Sequence, residues 1–352
     1  MRKYITIILT LTLAACSKST VTYDEPGAIA IQPVSEGMTK AAVGVIPEGQ
    51  DLLIYANYVD KGDSDKNPGD AYLNAAVFAE IKDAQGKGTG IWAGAQQDYF
   101  WPKSGTISLA GCTALPSEVG SVVYSYSANT FTVADYTQPL NTAETVDFIW
   151  FNHQKDGVNL ARTNGNLAVE MKHALTWVTI QVKGLGGSVG WKVESIKLLG
   201  VQDKGELTCK TSGAEWKIVG KTDQTEGATD ITVYIAPVVG ETTNYFTLDS
   251  QPKDIETTPK GTVLIPQTPV EMEVKYHTTD SPSPETLRTK KLNLWDSENT
   301  TDISWEAGKH YTYTITFNPY MITFTVDTDD KWGDENKDVN EYDDEEIEEQ
   351  LN

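Results

Sequence analysis

Trp177-Val178-Thr179-Ile180-Gln181-Val182-Lys183 places Val178, Ile180 and Val182 at every second position. Successive side chains on a strand point to opposite faces, so a period of two predicts a strand with one buried and one wet face. The same spacing recurs at Ile231, Val233 and Ile235, at Met272, Val274 and Tyr276, at Tyr311, Tyr313, Ile315 and Phe317, and at Ile322, Phe324 and Val326. Turn-forming residues punctuate these runs at 184–190, 237–241, 252–261 and Asn318-Pro319. No segment carries a long helical stripe. Many short strands joined by polar turns predict an all-β chain built of antiparallel sandwiches.

Upstream the pattern loosens. Strand candidates at 52–59, 75–81, 122–126 and 146–151 are separated by loops rich in Gly, Asp and Asn. The strands lengthen from Leu167 onward, which places a boundary near residue 165. The expected plan is a signal peptide at 1–15, an extended leader at 16–40, a first sandwich at 41–165, a second at 166–327 and an acidic tail at 328–352. A chain of 352 residues is long enough for two domains of common size.

The amino terminus carries Arg2 and Lys3, then an apolar run from Ile5 to Ala15. That run is far shorter than the roughly 20 residues a membrane-spanning helix needs and has the layout of a secretory signal. It ends in Leu13-Ala14-Ala15-Cys16, which resembles the lipobox of bacterial lipoproteins. Cleavage before Cys16 and lipid on its thiol are expected, giving a membrane anchor. The competing reading is an ordinary secretory peptide with an incidental Cys16.

The formal net charge is −22. An acidic surface repels phosphate, so nucleic acid is an unfavourable partner. Part of that charge sits in the last 26 or so residues, where Lys331 and Lys337 are the only bases; such blocks are usually solvated. Cys112 and Cys209 fall on opposite sides of the expected boundary and read as buried free thiols rather than a disulfide.

No catalytic set emerges. Asp60, Asp63, Asp65, Asn67 and Asp70 offer oxygen ligands, but an EF-hand alignment from Asp63 puts Pro68 where glycine is needed and Asn74 where glutamate is needed. His153, His173, His277 and His310 match no metal spacing, and no nucleophile elbow or phosphate loop is present. No cofactor or metal is expected. Trp92, Tyr99, Phe100 and Trp101, with Tyr124, Tyr126 and Tyr136 downstream, are either core residues or a platform for stacking on sugar rings.

Four features resemble the fimbrillin-like lipoproteins of Bacteroidetes, which supply subunits of type V pili. Behind the lipobox stands Thr39-Lys40-Ala41, similar to a Thr-Arg-Ala of that family. Val169-Glu170-Met171-Lys172-His173-Ala174-Leu175 resembles its Phe-x-His-Ala-Leu entry to a second domain, with Met171 in the aromatic position. Val263-Leu264-Ile265-Pro266-Gln267 is similar to its Ile-Pro-Gln strand. The run from Trp305 to Ile315, followed by Trp332, is close to its C-terminal hairpin. Phe100-Trp101-Pro102 and the residues after it depart from the family pattern, which puts the packing of the first domain in doubt.

The resemblance implies two transthyretin-like β-sandwiches in tandem and no enzymatic activity. It implies an outer-membrane lipid anchor with display at the cell surface or in a fimbrium, head-to-tail assembly with other pilus subunits by strand donation, and a role in adhesion to a host or microbial surface ligand. It also implies trypsin-like cleavage after a basic residue near the start; Lys40 is the expected site, or else an exposed loop lysine. The donor is expected at Ile322, Phe324 and Val326, unless these residues complete the molecule's own sheet. The alternative function is a monomeric glycan-binding surface lipoprotein. Cys16→Ser should abolish incorporation of labelled palmitate into the protein; continued labelling would remove the lipobox reading.

Overall fold

The structure is a computed structural model. It describes residues 27–34, 46, 50–59, 71–102, 105–140, 146–153, 166–218, 228–255, 261–268, 270–278, 287–294 and 304–329. Cys16, Lys40, the acidic cluster between Asp60 and Asp70, and the acidic tail beyond residue 329 lie outside them.

The strands follow in order: β1 (Ala30–Val34), β2 (Leu52–Val59), β3 (Ala71–Lys82), β4 (Gly88–Gly94), β5 (Thr106–Thr113), β6 (Val122–Ser125), β7 (Thr130–Thr137) and β8 (Ile149–His153). Next come β9 (Leu167–Glu170), β10 (Lys172–His173), β11 (Thr176–Gly184), β12 (Lys192–Gln202), β13 (Lys204–Lys210), β14 (Gly213–Ile218), β15 (Ala228–Ile235) and β16 (Val238–Val239). The last are β17 (Thr242–Thr243), β18 (Phe246–Thr247), β19 (Lys253–Asp254), β20 (Thr262–Leu264), β21 (Glu271–His277), β22 (Arg288–Asn293), β23 (His310–Phe317) and β24 (Ile322–Asp329). The chain is all-β, as its alternating pattern predicts.

The largest sheet has eight strands in the order β10-β8-β5-β2-β3-β4-β1-β9. Its two ends are consecutive pieces of one run, 167–173. β9 pairs with β1, and β10 pairs with β8. Between them the Met171 N–H donates to the Val34 carbonyl at 3.1 Å. The sheet therefore curls until both edges meet the same stretch of chain, which supplies partners for backbone groups that an open edge would leave exposed. Its concave face holds a core that includes Ile31, Ile54, Phe78, Trp92, Trp101, Leu109 and Met171.

The outer face of β2, β5 and β8 builds a second core. Tyr55, Cys112 and Trp150 pack against Phe131, Val133 and Leu207 of a four-stranded sheet, order β14-β13-β7-β6. A third core lies between two five-stranded sheets. One runs β19-β11-β23-β24, with β20 also on β11, and the other runs β15-β12-β21-β22, with β18 also on β12. Val178, Ile180 and Val182 face Ile196, Leu198 and Val274 there. Each such fully buried side chain is worth roughly 1.5–3 kcal/mol.

The sheets do not divide at residue 165. β9 and β10, placed in the second half by the sequence, belong to the first sheet. The β13–β14 hairpin crosses back to pair with β7, as in Leu207 opposite Val133. One consequence concerns the thiols. Cys112 and Cys209, assigned to separate halves, share one core and are both buried and free. Burial pushes both thiols well above their ordinary range, and each being near the other adds to the effect on Cys209.

Gly111 shows how tightly the first core is packed. A Cβ there would lie 2.3 Å from Phe151 Cε1 and 2.7 Å from Ile54 Cδ1. Overpacking of this kind typically costs about 1–3 kcal/mol. Gly111→Ala should lower the midpoint of urea unfolding by that equivalent; an unchanged midpoint would show that the Phe151 ring yields freely.

Candidate strand-exchange site

The leader residues Ile29, just before β1, and Ile31 and Val34 within it are all buried. Ile29, Ile31 and the buried Pro33 alternate, and Val34 follows out of phase, giving a short extended segment whose Ile29 and Ile31 enter the first core. The segment lies between β4 and β9. It is antiparallel to β4, with Ala30 opposite Ala93 and Ile31 opposite Trp92. It is parallel to β9, with Ile31, Gln32, Pro33 and Val34 opposite Leu167, Ala168, Val169 and Glu170. The β4 pairing stops at Ile31, so Pro33 sits where β1 has a neighbour on one side only. That is where a residue without an N–H is tolerated.

Backbone bonds extend the seat at both ends. The Ile29 N–H donates to the Tyr99 carbonyl at 2.6 Å, and the Trp101 N–H donates to the Gly27 carbonyl at 3.2 Å. At the other end stands the Met171 bond to Val34 already described. Without β1, the facing edges of β4 and β9 would be unpaired, and the core around Trp92, Trp101 and Val169 would lose its Ile29 and Ile31 contacts. The slot can thus hold a strand whose apolar residues stand two apart.

The three residues expected to donate lie in a different sheet, in β24. Ile322 pairs with Phe317, Phe324 with Ile315 and Val326 with Tyr313. Ile322 is buried, and Phe324 and Val326 pack part-buried on the third core. β24 ends its sheet and is laddered to β23 alone. In this molecule it completes the chain's own sheet.

The aromatic cluster resolves into core. Trp92, Trp101 and Tyr136 are buried, Tyr99 stacks on Phe78 at 5.7 Å, and Tyr124 and Tyr126 pack around Tyr55. Phe100 is the exposed member. The histidines of the second half serve the fold. His310 lies 2.8 Å from the Thr179 hydroxyl and stacks on Trp177, while His277 meets Glu194 at 2.9 Å. His173 Nδ1 is 2.5 Å from Asp147 Oδ2. Burial raises the Asp147 carboxyl above its usual range, against the opposing pull of His173. Among the described residues no cluster of His, Cys, Asp and Glu suited to a metal forms.

Sequence reading missed how β1 is seated. Its alternation is legible, but a parallel partner 167–170 so far downstream leaves no local signal.

A family described as fimbrillin-like matches residues 39–332 of this chain. Among solved structures, a fimbrial protein from Bacteroides vulgatus aligns with a TM-score of 0.56 at 12% identity, covering 86% of this chain and 98% of that one. A candidate cell adhesion protein from Bacteroides uniformis aligns with a TM-score of 0.51 at 13% identity, again over 86% and 98%. At these identities the likeness carries the fold alone. No curated protein matches the chain.

Ile31 is fully buried in the slot. Ile31→Ala should destabilise the protein by about 2–5 kcal/mol, the usual cost of such a core truncation. Urea unfolding followed by tryptophan fluorescence would measure it. A loss under about 0.5 kcal/mol, the scale of surface changes, would mean that β1 adds little to the sheet.

Proposed function

The chain belongs to the fimbrillin-like family, and from that premise we propose that it is a structural subunit of a cell-surface pilus, exported as a lipoprotein through Cys16 and assembled by strand donation. One observation carries the proposal: the leader forms β1, a strand that completes the first sheet and is followed within a few residues by Lys40.

The chemistry follows from that order. Before cleavage the leader occupies its own slot, so the first sheet has no vacant edge between β4 and β9. Cleavage after Lys40 would leave β1 held by ladder bonds and by Ile29, Ile31 and Val34 alone. Burial of these side chains is worth roughly 1.5–3 kcal/mol each. Replacement by a strand from a neighbour restores the same ladder and the same apolar contacts, so the exchange costs little once it starts. β24 carries the matching pattern, with Ile322, Phe324 and Val326 two apart. It lies at a sheet edge, from which a strand can be released more readily than from a sheet interior. Contacts of this head-to-tail kind do not close on themselves and produce a filament.

In this reading the partners are other pilus subunits, the outer membrane through the lipid, and a surface ligand at the point of adhesion. The role is mechanical rather than catalytic. The glycan-binding alternative loses its main support because Trp92, Trp101 and Tyr136 are buried.

Protein recovered from cells should begin at Ala41 and run as a ladder on unheated denaturing gels, because donated strands resist detergent. Lys40→Gln should keep the start at Cys16 and collapse the ladder to monomer. A wild-type ladder whose subunits all still begin at Cys16 would remove cleavage from the scheme.

A further inference from the structure

Three features of the leader follow one another along the chain: Cys16, the seated segment from Gly27 to Val34, and Lys40. The whole seat therefore lies on the lipid side of the proposed cut. Cleavage after Lys40 adds one water across the Lys40–Ala41 peptide bond, leaving a carboxylate on Lys40 and an ammonium on Ala41. It divides the protein into a lipid-bearing leader, 16–40, and a body, 41–352. No covalent bond then joins the body to the bilayer.

What still joins the two pieces is β1. It is an interior strand of the first sheet, with β4 on one side and β9 on the other. Four of its residues ladder to β9 and two to β4. Further bonds run from the Ile29 N–H to the Tyr99 carbonyl, from the Trp101 N–H to the Gly27 carbonyl and from the Met171 N–H to the Val34 carbonyl. Ala28 bridges Phe100 as well. Ile29 and Ile31 are buried in the first core. An edge strand can peel from a single neighbour, whereas β1 must leave two and uncover both isoleucines.

The reach of the leader fits this arrangement. Eleven residue steps separate Cys16 from Gly27. An extended chain advances by at most ~3.6 Å per step, so this segment spans up to about 40 Å. Lipid on Cys16 can sit in the bilayer while β1 stays in its slot. A diacylated Cys16 is a stable anchor, so the seat of β1 is the link that gives way first.

We propose that cleavage after Lys40 leaves the subunit attached to the membrane through β1 alone, and that the strand which replaces β1 is what frees it. The cut readies the subunit; the exchange fills the slot and releases the body in one event. A cut subunit that meets no donor stays at the membrane with its slot filled, so it neither drifts away nor presents an open edge. The inference rests on the pilus reading and adds to it an order of events: attachment ends only when assembly begins.

Vesicle flotation tests it. The lipidated chain is recovered from membranes and placed in phosphatidylethanolamine vesicles, with a site-specific protease sequence inserted after Lys40 so that one bond is cut. After the cut the body should still float with the vesicles, and excess synthetic peptide matching Gly27–Glu36 should release it. Ile31→Ser should float before the cut and shed its body at least about tenfold faster than wild type after it, the scale of a core truncation. Should that variant fail to keep the wild-type circular dichroism spectrum, release by the leader peptide carries the test without any substitution in the seat. A body that leaves the vesicles on cutting alone, or that floats on unchanged in excess leader peptide, would overturn the proposal. The pilus reading fails in a different way. Release by the leader peptide but not by a peptide matching Tyr320–Asp329 would sink β24 as donor and leave the membrane link standing. Uncut protein that does not float would remove the lipid and the proposal with it.

Discussion

The first half of the molecule depends on the backbone hydrogen bonding of one seven-residue run, 167–173. Its first part ladders to β1 and its second to β8, so a single stretch satisfies both edges of an eight-stranded sheet. Unpaired strand edges invite association with any extended chain. Sealing them with a run that continues directly into β11 also fixes where the rest of the protein begins. The Asp147–His173 pair and the Ala174 N–H bond to the Phe148 carbonyl hold that exit in place.

The same logic makes β1 the weak point of the sheet. It is short, contains a proline, has β4 opposite it at two positions, and contacts β9 in parallel. Parallel pairing is slightly less stable per residue than antiparallel pairing. Its hold comes largely from Ile29, Ile31 and Val34, a kind of contact that any strand with the same spacing can reproduce. The sheet interior, by contrast, is locked by close fits such as Gly111 against Phe151 and Ile54.

Much of this was legible in the residues. The alternating runs at Val178–Val182, Tyr311–Phe317 and Ile322–Val326 are strands because each has one wet and one buried face, and the period of two records that directly. β2 also falls on its expected span. The Gly-rich β4 and the polar β13–β14 hairpin carry weak patterns. Their strand state is imposed by long-range partners, and propensity alone does not reveal it. The change of pattern near 165 does not coincide with a change of sheet. A change in strand regularity was read as a change of domain, whereas β9, β10 and the β13–β14 hairpin return to the first half. At the site, the apolar spacing of the leader and of β24 was readable; which strands they pair with was not, because pairing partners leave no trace in local spacing.

The crossed connectivity has a kinetic side. Thr179 and His310 bond across a sequence separation of 131, and β1 waits for β9 from far downstream. Folds dominated by distant partners form slowly, since long loops must close before their contacts give any return. For the exported subunit proposed here, that slowness is useful. The first sheet cannot seal until residues 167–173 are available to meet both of its edges.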